Sequence, residues 1–245
     1  MTGMIRFELK GAEARLTLCG PESGNAMRIA DIVSASEYIR EAGRTPGVKV
    51  LRLCAEGPSF CLGRAAEPPS QSSPGPESIR DNLVQPILDL YKALHDLDIV
   101  SVAQVQGEAR GFGCAIVAAC DIAVASSVAI FSLPEMQKNL PPTLALSAVL
   151  RKMSHKAVTS LVLGAGSLDS QGALVAGLVG EVTSPEQLQP RVDEIVSHLS
   201  SRHPLALTTV KRYLRAAGAP DHQLHAEMAA SLLSSAMVDI RQTKN

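Results

Sequence analysis

A glycine turn that opens straight into an apolar run constrains the fold of this chain more than any other stretch. Gln106-Gly107-Glu108-Ala109-Arg110-Gly111-Phe112-Gly113-Cys114 leads into Ala115–Cys120, then Asp121, a strand-like run, and Phe131-Ser132-Leu133-Pro134-Glu135. A turn that opens a helix presents backbone N–H groups with no partner inside the helix. Such donors can hold a developing oxyanion. Phe60-Cys61-Leu62-Gly63-Arg64, earlier in the chain, is the segment to read with it. A carboxylate delivered nearby, by Glu135, can move a proton. The pattern therefore predicts carbanion or enolate chemistry beside a carbonyl.

The length of 245 residues suits one large domain, or one domain with an appendage. Apolar residues make up 46% of the chain, with only 3% aromatic and no Trp, so the core must be aliphatic. A formal charge of −1 argues against nucleic acid as the main partner, because phosphate binding rests on clustered Lys and Arg. The five cysteines (Cys19, Cys54, Cys61, Cys114, Cys120) show no C-x-x-C spacing. They predict reduced thiols in a cytoplasmic setting, with no metal site. Met1–Lys10 has no apolar signal core, and no apolar run approaches the length of a membrane helix.

Ile5–Leu9 and Arg15–Leu18 alternate about Lys10-Gly11 as a hairpin would. Ile29–Ala42 reads as an amphipathic helix with Ile29, Ile32, Val33, Ser36 and Ile39 near one face. Val48–Cys54 reads as a strand. Ala65–Ser78, rich in Pro, Ser and Gly, reads as a loop, either a plain connection or a lid. A helix is expected over Ile79–Leu97, kinked at Pro86 or started there. Then come strands at Val100–Val105, Ile122–Ser126 and Ala129–Ser132, and a buried helix at Cys114–Cys120. Helices follow at Thr143–Met153 and His155–Leu163, with Thr143 and Ser154 as N-caps. Ser170–Ala176 is a further helix, closed by Gly177. Glu186–Ser200, Leu205–Ala217 and His222–Val238 complete a mixed α/β chain whose helices concentrate at its end.

These residues resemble the crotonase family, the enoyl-CoA hydratase/isomerase superfamily, over nearly the whole chain. The resemblance rests on segments in order: Asn25-Ala26-Met27, Phe60-Cys61-Leu62-Gly63, the glycine turn Gly107 to Cys114, Ala119–Ala125, Phe131–Glu135 and Ala173–Val179. It implies a spiral of ββα repeats over residues 1–184 and a helical C-terminal trimerisation region over 185–245. Homotrimers or dimers of trimers are then expected. It also implies an acyl-CoA thioester as substrate, with coenzyme A as part of that substrate and no separate cofactor. By position, the two oxyanion N–H groups fall on Arg64 and Phe112. Coenzyme A would lie along the loop from Ala55 to Phe60 and Cys61, and Lys211 and Arg212 sit where family members touch CoA phosphates across subunits. An exposed basic turn is the plainer reading of Lys211 and Arg212.

Family hydratases use two glutamates. Here the first position is Ala115, which cannot carry a proton, and the second is Glu135. One acid beside an oxyanion hole resembles the Δ3,Δ2-enoyl-CoA isomerases, in which a single carboxylate takes the α-proton and returns it at the γ-carbon. A hydratase, or a decarboxylase or related lyase, is the nearest alternative, and a catalytically silent acyl-CoA-binding protein is a second. A serine peptidase is poorly supported, since Ala115 or Phe112 stands where a nucleophilic Ser would. Phe112 in a glycine's place, Ala65, and Leu140-Pro141-Pro142-Thr143 after the Pro-Glu segment depart from the family pattern. Asp121 reads as a structural acid bonded to backbone N–H groups.

Overall fold

The computed structural model describes residues 4–66, 75–164 and 166–217, with helical Glu227, Ala230 and Ser234 beyond them. The chain opens with β1 (Ile5–Lys10) and β2 (Glu13–Leu18), an antiparallel hairpin in the register Ile5↔Leu18 to Lys10↔Glu13. Gly11 turns it at φ 58°, a left-handed conformation that costs glycine little. Helix α1 (Ile29–Arg44) crosses to β3 (Val50–Ala55). It buries Ile32, Ala35, Ser36, Ile39 and Ala42. Val33, expected on that face, is 41% exposed, since one residue's step of about 100° turns it away from Ile32.

The expected loop Ala65–Ser78 gives way to helix before its end, because Pro76 opens α2 (Pro76–Ile79). Residues 67–74 of that loop lie outside the described residues. A wide π turn, Arg80–Val84, then joins α2 to α3 (Gln85–Asp96), and the Gln85 N–H reaches back to the Arg80 carbonyl. Pro86 thus stands at the second position of α3, just after the wide turn that accommodates its missing N–H.

The next elements are β4 (Val100–Val105), β5 (Ala109–Arg110), α4 (Phe112–Ala119), β6 (Ile122–Ser126) and β7 (Ile130–Ser132). Helix α5 (Thr143–Val149) is shorter than expected. Pro142, whose carbonyl accepts the Leu146 N–H at 2.8 Å, takes the N-cap position expected of Thr143. Helix α6 (His155–Leu163) is capped by the Ser154 hydroxyl, which accepts the Ala157 N–H. Strand β8 (Ser167–Asp169), α7 (Ser170–Ala176), β9 (Glu181–Thr183), α8 (Pro185–Ser200) and α9 (Pro204–Ala217) follow. Gly177 ends α7 at φ 86°. The helix expected over His222–Val238 lies outside the described residues apart from the three named above.

Two sheets organise these parts. The larger has the order β1-β2-β3-β4-β6-β9, with every pair after the hairpin parallel. Parallel neighbours require crossovers, supplied as far as β6 by α1, α3 and α4 and from β6 to β9 by the segment that holds β7, α5, α6, β8 and α7. Leu51, Leu53, Ala103, Val105, Ala123 and Ala125 face the main core, while Val50, Val100, Val102 and Val124 face α8 through Leu188, Val192 and Val196. The period of two along each strand sorts these residues to the two faces. Pro185, at the start of the expected C-terminal region, thus opens a helix that covers the sheet.

One charge is built into this second interface. Arg52, 2% exposed, donates to Asp193 Oδ1 at 2.5 Å and to the Gln104 carboxamide oxygen, tying α8 to β3 and β4. Removing an acceptor from a buried cation leaves its desolvation uncompensated. Gln104→Leu is expected to lower unfolding free energy by about 3 kcal/mol. Arg52→Met, which keeps the apolar stem, should stay within about 1 kcal/mol of wild type. Urea denaturation of both variants checks the difference.

The smaller sheet, β5-β7-β8, positions the candidate site. Its parallel pair β5–β7 has the register Ala109↔Phe131 and Arg110↔Ser132, continued by the Gly111 N–H to the Ser132 carbonyl at 2.8 Å. These strands of two or three residues carry no periodic pattern, which is why the sequence does not announce β5, β8 or β9.

Candidate active site

The first half of the site is the segment from Ala55 to Arg64, clamped on both sides. The N–H groups of Phe60 and Cys61 both donate to the Glu108 carbonyl, at 3.0 and 3.1 Å, and the Arg110 N–H donates to the Cys61 carbonyl at 2.9 Å. Phe60 and Cys61 are fully buried. On the opposite side, the Met27 N–H donates to the Gly63 carbonyl at 3.0 Å and the Ala65 N–H to the Met27 carbonyl at 2.8 Å. The Arg64 peptide is therefore held in a bridge to Met27. The Arg64 guanidinium is exposed and reaches the Ala65 carbonyl.

Two carboxamides organise the loop before it. Asn25, buried at φ 57°, donates to the carbonyls of Glu56 and Ser59 and accepts the Gly20 N–H. Gln106 Nε2 lies 3.0–3.1 Å from the carbonyls of Ala55, Gly57 and Ser59. In the loop along which coenzyme A is expected to lie, the Ala55, Glu56, Gly57 and Ser59 carbonyls thus already accept protein donors. The roles of Asn25 and Gln106 were not legible from the sequence, although both stand inside the quoted motifs.

The second half is the turn into α4. Gly111, the N-cap, sits at φ 50°, ψ −114°, and Phe112 is the first helical residue. Its N–H therefore has no carbonyl one turn earlier within the helix. Gly113 lets this turn lie against the first segment: a Cβ there would come 2.2 Å from the Cys61 carbonyl oxygen. A Cβ on Gly107 would come 1.9 Å from the Pro58 carbonyl oxygen. The Phe112 ring stacks on Tyr91 of α3, with centroids 6.0 Å apart and planes at 26°. Tyr91 is a neighbour that sequence reasoning missed, since an aromatic on a helix's apolar face reads as core.

Glu135 arrives by the register of the small sheet. Gly111 follows Arg110 and Leu133 follows Ser132, and the short 3-10 turn Pro134–Lys138 then swings the Glu135 side chain over the glycine. Its Oε1 lies where a Cβ on Gly111 would approach within 2.5 Å. Oε2 is buried with no hydrogen-bond partner among the described residues. Burial raises the pKa of this carboxyl above the ordinary 4.5, against the opposing pull of its own backbone N–H and of Lys138. Ala115, at the position of the absent second acid, is fully buried within α4. The nearby Glu108 carboxylate is paired with Arg110 at 2.5 Å. Burial pushes the Cys61 and Cys114 thiols up to about 12, so neither is a thiolate nucleophile at neutral pH.

Lys211 stands apart from this group. It is 5% exposed, and its ammonium meets Asp121 Oδ2 at 2.7 Å and the Ile99 carbonyl at 2.8 Å. The exposed basic turn expected there is corrected: both residues lie on α9, and the helical step between neighbours turns Lys211 inward and Arg212 outward to Asp98. Asp121 also accepts the Ser101 N–H and hydroxyl, each at 2.8 Å, which is a structural role. Among the described residues no helix is long and apolar enough to cross a membrane.

The raised pKa carries a sign for stability. Below pH 4.5 the Glu135 carboxyl is protonated folded and unfolded, and burial costs nothing extra. As pH rises from there through the raised folded value, the unfolded state ionises more readily and stability is lost. Glu135→Gln should therefore be more stable than wild type at pH 7 and show no such advantage at pH 4. Chemical denaturation at the two pH values reads the difference.

Comparison with known proteins bears on the family and the fold. A family model described as enoyl-CoA hydratase/isomerase matches residues 9–242. The chain is 30% identical over 182 residues to enoyl-CoA hydratase domain-containing protein 3, mitochondrial, of Danio rerio, covering 74% of this chain and 62% of that protein. It is 25% identical over 201 residues to the 2,3-dehydroadipyl-CoA hydratase of Escherichia coli (strain K12), covering 82% and 77%. The chain thus spans only 61–62% of the length of the domain-containing protein 3 relatives from Danio rerio, Rattus norvegicus, Mus musculus and Homo sapiens. An enoyl-CoA hydratase from Mycobacterium avium subsp. paratuberculosis K-10 superposes with a TM-score of 0.86 at 24% identity, covering 97% of this chain and 95% of the other. Human enoyl Coenzyme A hydratase domain-containing protein 3 superposes with a TM-score of 0.82 at 24% identity, covering 97% and 91%. At that identity the superpositions establish the fold, which is the crotonase fold that the sequence resemblance implied.

Proposed function

Since the chain belongs to the enoyl-CoA hydratase/isomerase family, we propose that it shifts the double bond of a 3-enoyl-CoA to the conjugated 2-position, with Glu135 as the only proton carrier. The observation that carries this reading is the Glu135 carboxylate over Gly111, partly stripped of water, with Ala115 in the place of a second acid. The thioester oxygen sits between the peptide N–H groups of Arg64 and Phe112. Glu135 removes a proton from C2, and the charge spreads over the dienolate to that oxygen. Each hydrogen bond that strengthens there contributes about 3 kcal/mol to the transition state. The same carboxyl then gives its proton to C4, and the double bond comes to rest between C2 and C3. The reaction consumes no water and requires no second base. A carboxyl whose pKa is raised toward neutrality suits both halves of the transfer.

A second reading is hydration of a 2-enoyl-CoA, favoured by relatives that are named hydratases. It would ask Glu135 to activate water and leave the proton for C2 without an obvious carrier at Ala115. A third reading, binding of acyl-CoA without turnover, is favoured by Ala115 and by the bulk of Phe112.

Incubation of the protein with 3-enoyl- and 2-enoyl-CoA esters in D2O, followed by mass spectrometry, separates the three. Isomerisation with deuterium exchange at C2 or C4 is the expected outcome, and Glu135→Gln should lower it by about 10²–10⁴-fold. A 3-hydroxyacyl product would replace this reading by hydration. Binding without exchange or product would replace it by the silent carrier.

The partner reading is a homotrimer or a dimer of trimers. Leu205, Val210, Tyr213 and Leu214 on α9 are 58–72% exposed, an apolar surface that a second copy would cover. Light scattering on the eluted protein should return a mass that is a multiple of three chains, and a monomer would remove this part of the proposal.

A further inference from the structure

An open cavity of about 980 Å³ is bordered by α3, the C-terminal end of α4, α5, α8 and α9, with the exposed Val210 and Leu214 of α9 on its rim. That is the size of many small-molecule pockets, roughly 300–1,000 Å³. Its apolar lining includes Leu88, Ala118, Ala148 and Leu207; charged groups line it too, Lys92 and Arg202 at exposed positions and Lys211 and Arg151 at buried or half-buried ones. Glu135, Arg64 and Phe112 are not part of its lining. Tyr91 is the lining residue whose ring also stacks on Phe112. It is 5% exposed.

We propose that Tyr91 is the end wall of the acyl site and restricts the enzyme to short acyl groups, and that its ring closes off a cavity in which a longer chain would otherwise lie. The inference rests on the acyl-CoA reading above. With the thioester oxygen at the Arg64 and Phe112 peptides and C2 to C4 passing Glu135, the rest of the chain must leave beside the Phe112 ring. Tyr91 stands there by its stack on Phe112. Its phenol also feels the charge of Glu135 and is held well above its ordinary pKa, by burial first and by Glu135 second. The hydroxyl is therefore neutral at physiological pH, and the wall is uncharged. Removing the ring would open the Phe112 side of the site toward the cavity.

The test uses the whole chain as wild type, Tyr91→Phe, Tyr91→Leu and Tyr91→Ala, each checked for fold by circular dichroism. Calorimetry with saturated butanoyl-, hexanoyl- and decanoyl-CoA gives the dissociation constants. Wild type should bind butanoyl-CoA at least tenfold more tightly than decanoyl-CoA. Tyr91→Phe should keep that ratio, and Tyr91→Leu and Tyr91→Ala should abolish or reverse it. If the alanine variant does not fold, the leucine variant and the wild-type preference decide. A wild type that takes decanoyl-CoA as tightly as butanoyl-CoA, or a folded Tyr91→Leu with an unchanged ratio, overturns the end-wall role and leaves the acyl-CoA reading standing. A wild type that binds none of the three esters overturns both.

Discussion

The candidate site depends on a contact between two main chains, the Gly107–Gly113 turn against the Pro58–Gly63 segment. Side chains of ordinary size cannot occupy that contact. The Cβ positions of Gly107 and Gly113 fall on the carbonyl oxygens of Pro58 and Cys61, and that of Gly63 falls 3.2 Å from the Arg110 carbonyl oxygen. With the side chains gone, the Phe60, Cys61 and Arg110 N–H groups find partners across the contact. Each such bond adds only about 1 kcal/mol net, but a buried one left unmade costs about 1–3 kcal/mol. The geometry is therefore enforced more by the penalty for leaving it than by the reward for adopting it.

That contact fixes where Arg64 and Phe112 stand, and the small sheet then supplies the acid. Because β5 and β7 run parallel in register, residues just beyond their ends stay side by side, and Glu135 arrives over Gly111. The absence of a side chain on Gly111 makes room for the carboxylate as well as permitting the backbone turn. Burial then acts on Glu135 in a single direction, favouring the neutral acid. The same surroundings contain Ala115, which carries no titratable group, and thiols that burial pushes up to about 12.

Much of this was legible in the chain itself. The hairpin at Lys10-Gly11, helix α1, strands β3, β4 and β6, and the Ser154 and Gly177 helix ends follow from periodicity and local chemistry. What escaped was short or non-local. Strands β5, β8 and β9 are too brief to show a period, and the π turn before Pro86 is a local answer to one missing donor. Arg52 looked like an ordinary strand residue, yet it is buried against Gln104 and Asp193, which lie 52 and 141 residues away. Lys211, expected as a CoA-phosphate contact or part of an exposed turn, is an interior cation, because its partners Asp121 and the Ile99 carbonyl come from segments far earlier in the chain.

The sequence by itself determined the reactive inventory: which glycines clear the way, which acid remains at Glu135, and that Ala115 cannot be one. Those are properties of composition and order, and folding does not change them. Only the tertiary structure decided how water-poor Glu135 is, that Tyr91 backs Phe112, and that the carbonyls of Ala55, Glu56, Gly57 and Ser59 are already engaged by Asn25 and Gln106. Solvation and contact are set by whatever the remainder of the chain packs against a group, and that is not written in the residues flanking it.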